Sequence, residues 1–241
     1  MDIQTFFYKL FLTDSSARPT QFLGSAFPVA AGGGLLTCRH VVDVPVPTGS
    51  AISVFDPAAG SCRRISEWIL PADPDVDMAF LPAALSRDKQ EFFPVLTPNL
   101  LQIGESVYSF GYFAIGGRLE DVEQGYFSGK IVNFFGQDEG AGRARFMLPY
   151  PILEGMSGSP VLTYHNGPKL VGMAFANRSS RILASEIVEY SDGGAQLKET
   201  VNRIVEFGIS YHPAAIVQFL NSVRAPGIVV SDARVQVPGL E

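Results

Sequence analysis

Residues 154–162 read EGMSGSPVL: two serines, two glycines and a proline immediately before an apolar run. The stretch has two readings. It is an ordinary tight turn, or its glycines let backbone N–H groups approach an atom reacting at a serine hydroxyl. The rest of the chain has to decide between them.

Working outward, apolar runs of four to eight residues recur between Gly, Pro, Asn and Asp. They include QFLGSAFPVA (21–30), AISVF (51–55), ESVYSFGYF (105–113), RARFMLPY (143–150), SPVLTY (159–164), KLVGMAFA (169–176), SRILASEIVEY (180–190) and RIVEFGISY (203–211). Short strands at this spacing predict an all-β sandwich or barrel. Two hairpins are expected, at Gly32-Gly33-Gly34 and at His165-Asn166-Gly167-Pro168. One helix is predicted, over 213–223, with Pro213 in its first turn where a missing N–H costs nothing. The chain is long enough, at 241 residues, for one large domain or two small ones.

Composition narrows the function classes. The net charge is −6, with no run of more than two adjacent Lys or Arg, which argues against a nucleic-acid surface. The N-terminal MDIQTFFYKLFLT is broken by Lys9 and lacks a small-residue cleavage site, so it reads as a first strand and not a leader. No membrane span is expected, because no run of about 18 apolar residues occurs. Cys38 and Cys62 are the only cysteines, and two reduced thiols in a cytoplasmic protein are the expectation.

Three stretches carry chemistry. His40 follows the short strand LLT (35–37), Asp77 opens DMAFL (77–81), and Ser157 lies between Gly155 and Gly158. A serine hydroxyl is a weak nucleophile near neutral pH. It needs a base within hydrogen-bond reach, and the base needs an orienting acid. Asp73 and Asp75 compete with Asp77, and Ser159 with Ser157; His165 and His212 lack comparable surroundings. The chain order His, Asp, Ser agrees with the chymotrypsin arrangement and not with the subtilisin or α/β-hydrolase orders.

At this point the chain resembles the trypsin/chymotrypsin-like serine proteases, most closely their bacterial Deg-type branch. The matching stretches are GSAF (24–27), LLTCRHVV (35–42), DMAFL (77–81), GMSGSPVL (155–162) and KLVGM (169–173), with VYSFGY (107–112) as a weaker match. The resemblance spans about residues 20–223. It implies two six-stranded antiparallel β-barrels, one over about 1–100 and one over about 101–212, a C-terminal helix over 213–223 and a tail over 225–241. In its pattern Ser157 is the nucleophile, His40 the base, Asp77 the orienting acid, and the backbone N–H groups of Gly155 and Ser157 the oxyanion hole.

The same resemblance implies a serine endopeptidase acting through an acyl-enzyme, without metal or organic cofactor. Its partners would be a protein or peptide substrate and a regulatory protein, with no nucleic acid and no membrane. Met156 stands where secreted members carry an aspartate that pairs with a new N-terminus, so activation by N-terminal cleavage is not expected. Pro151 takes the position of the pocket base, and Phe175, Ala176 and Asn177 that of a pocket wall. With no acid at 151, cleavage after uncharged, small to medium apolar residues is expected. The loops at 112–123 and 178–205 are the expected regulatory surfaces. The rival reading is a catalytically silent protease fold used as a peptide-binding or scaffold module.

Overall fold

The computed structural model describes residues 6–30, 32–57, 59–82, 84–85, 92–116, 118–190 and 196–231. The chain is mostly strand, and it folds as two antiparallel sheets in the manner of a chymotrypsin-like double barrel. Four strands build the start of the first sheet: β1 (Tyr8–Thr13), β2 (Pro19–Ala30), β3 (Gly34–Thr37) and β4 (Ala51–Asp56). With β5 (Ser61–Arg64) and β6 (Ala79–Leu81) they lie in the order β5-β4-β1-β2-β3-β6. The chain after β5 closes the ring. Ile65 N–H donates to Ile52 O at 2.9 Å, and Ile69 exchanges backbone hydrogen bonds with Phe80 of β6. From Ser25 onward every residue of β2 is buried, so neither face of the strand meets solvent. That is why GSAFPVA reads as a continuous run without alternation. Pro28 sits at a break in register against β3, where a missing donor is tolerated.

The second sheet comprises β7 (Val95–Leu96), β8 (Ser106–Ala114), β9 (Val122–Lys130), β10 (Asn133–Phe135), β11 (Arg145–Leu148), β12 (Pro160–Tyr164), β13 (Pro168–Tyr190), β14 (Gln196–Tyr211) and β15 (Val230–Ser231). Its main path is β10-β11-β14-β13-β12-β8-β9. Although β7 precedes residue 100, it pairs in parallel with β13, and β15 pairs in parallel with β7. Among the described residues two α-helices occur: the single turn α1 (Arg39–Val42) and α2 (Pro213–Ser222). His212 caps α2, its Nδ1 accepting the Ala214 N–H at 3.2 Å.

One apolar core unites the two halves. Phe27, Leu35, Leu36 and Met78 of the first half pack in the same cluster as Leu162, Leu170, Met173 and Tyr211 of the second and Ile216, Phe219 and Leu220 of α2. Burying each such side chain contributes about 1.5–3 kcal/mol. A second core holds Phe146, Leu148, Met156, Val161 and Val171.

The stretch 178–205 is not the open loop expected from the sequence. β13 and β14 stay paired from Met173↔Tyr211 out to Tyr190↔Gln196, so most of that stretch is a two-stranded ribbon. The β-branched residues of RILASEIVEY and ETVNRIVEF favour extended backbone over coil.

Candidate active site

His40 occupies the one-turn α1, entered from β3 through Cys38, where the sequence alone showed only a strand end. Two bonds tie it to Asp77. The His40 backbone N–H donates to Asp77 Oδ1 at 2.9 Å, and His40 Nδ1 lies 2.6 Å from Asp77 Oδ2. An ionised carboxylate only accepts, so the short contact puts a proton on Nδ1, the tautomer in which a neutral ring carries its lone pair on Nε2. Burial pushes the Asp77 carboxyl up, but the two His40 hydrogen bonds, the His40 charge and the Arg39 amide outweigh it. The group is held below the usual carboxylate range. The Asp77 backbone N–H in turn donates to Tyr211 Oη at 2.7 Å. Burial raises the Tyr211 phenol to about 12, so it stays neutral and able to accept. Asp73 and Asp75, the rival carboxylates, instead bind Arg143, each at 3.0 Å.

Ser157 lies in the turn that leads into β12. Gly155 and Gly158 flank it at φ 92° and 85°, a region where a side chain is strained. The turn is anchored to the first sheet. Ser25 N–H donates to Ser157 O at 2.9 Å, Ser25 Oγ to Gly155 O at 2.9 Å, and Thr37 Oγ1 to Ser25 O at 2.7 Å. It is anchored to the second by Gly158 N–H on Ala174 O at 2.9 Å. Cys38, two residues before His40, aims its thiol at the same Ala174 carbonyl. The chain thus brings the Ser157 turn against the strand that delivers His40. Among the described residues, neither the Gly155 nor the Ser157 amide N–H donates to a protein acceptor. Met156 is fully buried in the second core, which accounts for an apolar residue there.

Of the residues that could hold a metal, Cys38 Sγ, His40 and Asp77 offer ligand atoms within 4.8 Å of one another. The chemistry opposes it. Burial and the Asp77 charge push the Cys38 thiol well above its ordinary value, and His40 Nδ1 and Asp77 are already bonded to each other. Cys38 and Cys62 are both free thiols.

The four residues expected to shape a specificity pocket are used in different ways. The Phe175 ring lies flat on Tyr211, centroids 4.2 Å apart, and so backs the phenol that holds Asp77. Ala176 follows it at the break in register between β13 and β14. Asn177 reaches across to the segment containing Pro151. Its side-chain oxygen accepts Ile152 N–H at 2.6 Å, and its side-chain amide donates to Ile152 O at 2.7 Å. Gly208, the register partner of Asn177, donates its N–H to Tyr150 O at 2.7 Å. The two sides of the expected pocket are therefore laced together, with Ile152 buried between them.

Sequence reasoning missed Tyr211, Ser25, Thr37 and the crossbar made by Asn177. One signal for Tyr211 was available. A tyrosine inside an apolar run needs a partner for its hydroxyl once buried.

The model of the trypsin-like peptidase domain family matches residues 24–173. No curated protein sequence matches the chain. Among solved structures the fold is similar to that of a Glu endopeptidase in complex with MPD, at TM-score 0.59 and 16% identity over 93% of each chain. It is also similar to the HtrA-type protease AlgW with a decapeptide (TM-score 0.56, 16% identity, 91% of this chain and 63% of that one). A third likeness is to the MamO protease domain from Magnetospirillum magneticum (TM-score 0.53, 16% identity, 90% and 96%). The chain thus spans less than two thirds of the length of AlgW. At this identity these structures speak for the fold alone.

Proposed function

Because the chain belongs to the trypsin-like peptidase family, we propose that it is a serine endopeptidase with Ser157 as nucleophile, His40 as base and Asp77 as orienting acid. The observation that carries this reading is the doubly bonded His40–Asp77 pair together with a glycine-flanked serine whose turn is anchored at Ser25, the acceptor of the Thr37 hydroxyl, and leaves two amide N–H groups without an acceptor among the described residues. Ser157 Oγ attacks the scissile carbonyl carbon while His40 Nε2 takes its proton. The carbonyl oxygen, now negative, is met by the amides of Gly155 and Ser157. Each such donor is worth about 2.7–4 kcal/mol in the transition state. Collapse expels the amine, protonated by His40, and leaves an acyl-enzyme that water hydrolyses by the reverse proton route. Asp77, held ionised, keeps the imidazole in the tautomer this needs.

The side chain accepted before the scissile bond is uncharged and small. Pro151 offers no charge to a basic side chain, and the Asn177–Ile152 crossbar and the buried Ile152 leave little depth. The two free thiols favour a reducing compartment such as the cytoplasm.

The test uses a fluorophosphonate probe and an unfolded protein substrate on the parent and on Ser157→Ala. The parent should be labelled once, at Ser157, and cleave the substrate, while the variant melts like the parent but does neither. An unlabelled, inactive parent would instead make the chain a silent peptide-binding module, and labelling retained in Ser157→Ala would remove Ser157 from its role.

A further inference from the structure

Resting on that reading, the cleft contains a cation that the proposed chemistry does not use. Arg145 of β11 stands opposite Tyr211 in the register with β14, and Tyr211 opposite Met173 of β13. Its guanidinium lies over the Phe175 ring, 5.3 Å from the centroid, and over the Tyr211 ring at 5.6 Å. Tyr211 is the residue whose phenol accepts the Asp77 N–H, so the charge lies one ring away from the proposed triad.

Its hydrogen bonds are nearly unused. Nη2 reaches the Asp75 carbonyl at a marginal 3.5 Å, and Nε is buried with no acceptor. Among the described residues no carboxylate pairs with it. The nearest acids are committed elsewhere: Asp75 and Asp73 to Arg143, and Asp77 to His40. A guanidinium offers five donors in a fork that fits a carboxylate, and one left half-buried on aromatic rings without a counter-ion is a site for an anion.

The strand geometry says which anion. A peptide pairing with β13 at 175–177, beyond the last backbone bonds of that edge at Ala174, runs antiparallel to it, with its scissile bond at Ser157. Side chains alternate between the faces of such a strand. The residue entering the specificity pocket points one way, and those one and three positions earlier, the second and fourth before the scissile bond, lie on the opposite face. We propose that this face is set toward the segment 71–77 and that Arg145 is a specificity-determining residue that binds an Asp or Glu of the substrate two or four positions before the scissile bond. The enzyme then selects a small residue at the cut and an acid upstream of it.

The test is a set of peptides with an invariant small residue at the cut and Glu or Gln at the second and fourth positions before it. The readout is the Glu-to-Gln ratio of kcat/KM within each enzyme, so that losses common to both peptides cancel. The parent should favour Glu at one of the two positions by about tenfold, less at high salt. Arg145→Met should bring the ratio near one, Arg145→Lys restore part of it, and Arg145→Glu invert it. A parent that cleaves with equal rates, or an Arg145→Met enzyme that keeps the parent ratio, overturns the subsite and leaves the protease reading intact. A parent that neither cleaves nor takes the fluorophosphonate label overturns the protease reading, and the subsite with it.

Discussion

At the scale of single residues, the glycine after Ser157 is under the tightest constraint. Gly158 combines φ 85° with surroundings that leave no room for a methyl group. A Cβ there would run into the Ser25 carbonyl oxygen and the Thr37 hydroxyl, which are themselves bonded to each other. Neither can retreat without breaking the anchor of the Ser157 turn. Gly158→Ala should therefore lower stability by about 3 kcal/mol and the melting temperature by about 6–12 °C. Thermal unfolding followed by circular dichroism measures this, and a variant melting within a degree or two of the parent would show that the turn adapts. This constraint was legible in the sequence. A local conformation that only glycine tolerates leaves a local mark, and EGMSGSPVL carries it. A tyrosine in an apolar run signals only that its hydroxyl needs a partner; that Tyr211, backed by Phe175, supports Asp77 left no mark, because Asp77 is more than ninety residues away from both.

At the scale of elements, the entry to α2 couples the fold to pH. His212 caps the helix with Nδ1, packs edge-on against Phe134 at 5.5 Å, and is buried. Burial depresses its folded pKa from 6.5 to about 4. The unfolded chain therefore binds a proton in a range where the folded chain does not. The stabilisation is full above about pH 6.5 and is lost as pH falls toward 4, on the order of 3 kcal/mol in all. Asn at this position keeps an acceptor for the cap and does not titrate. Urea unfolding at pH 7 and pH 4 should show a steeper loss for the parent than for His212→Asn, and equal losses would place the pH dependence elsewhere. The helix itself was readable from Pro213 and the apolar spacing behind it. The titrating cap was not, since the burial comes from elements remote in the chain. The ribbon of β13 and β14 makes the same point in reverse. Its two strands were visible as apolar runs, yet their pairing over so long a register was not, because register depends on both strands at once.

At the scale of the whole molecule, the two sheets are not independent. The core of the first includes Leu162, Leu170, Met173 and Tyr211 from the second sheet and Ile216, Phe219 and Leu220 from α2. A fragment of residues 1–100 would expose that apolar face to water. It should show no cooperative melt and should bind an apolar dye, whereas a sharp transition in the fragment would mean that the first barrel is self-sufficient. What the sequence determined by itself is what short-range chemistry writes into neighbouring residues. It set strands punctuated by turns, a helix opened by proline, a serine between glycines, and a histidine and an aspartate in recognisable settings. What only the tertiary structure decided is every relation between groups far apart in the chain. His40 and Asp77 share two hydrogen bonds, Asn177 brackets Ile152, and Arg145 rests on aromatic rings with no counter-ion among the described residues. The physical reason is that burial, desolvation and hydrogen-bond partnership belong to the packed ensemble, and no residue's immediate neighbours in the chain specify them.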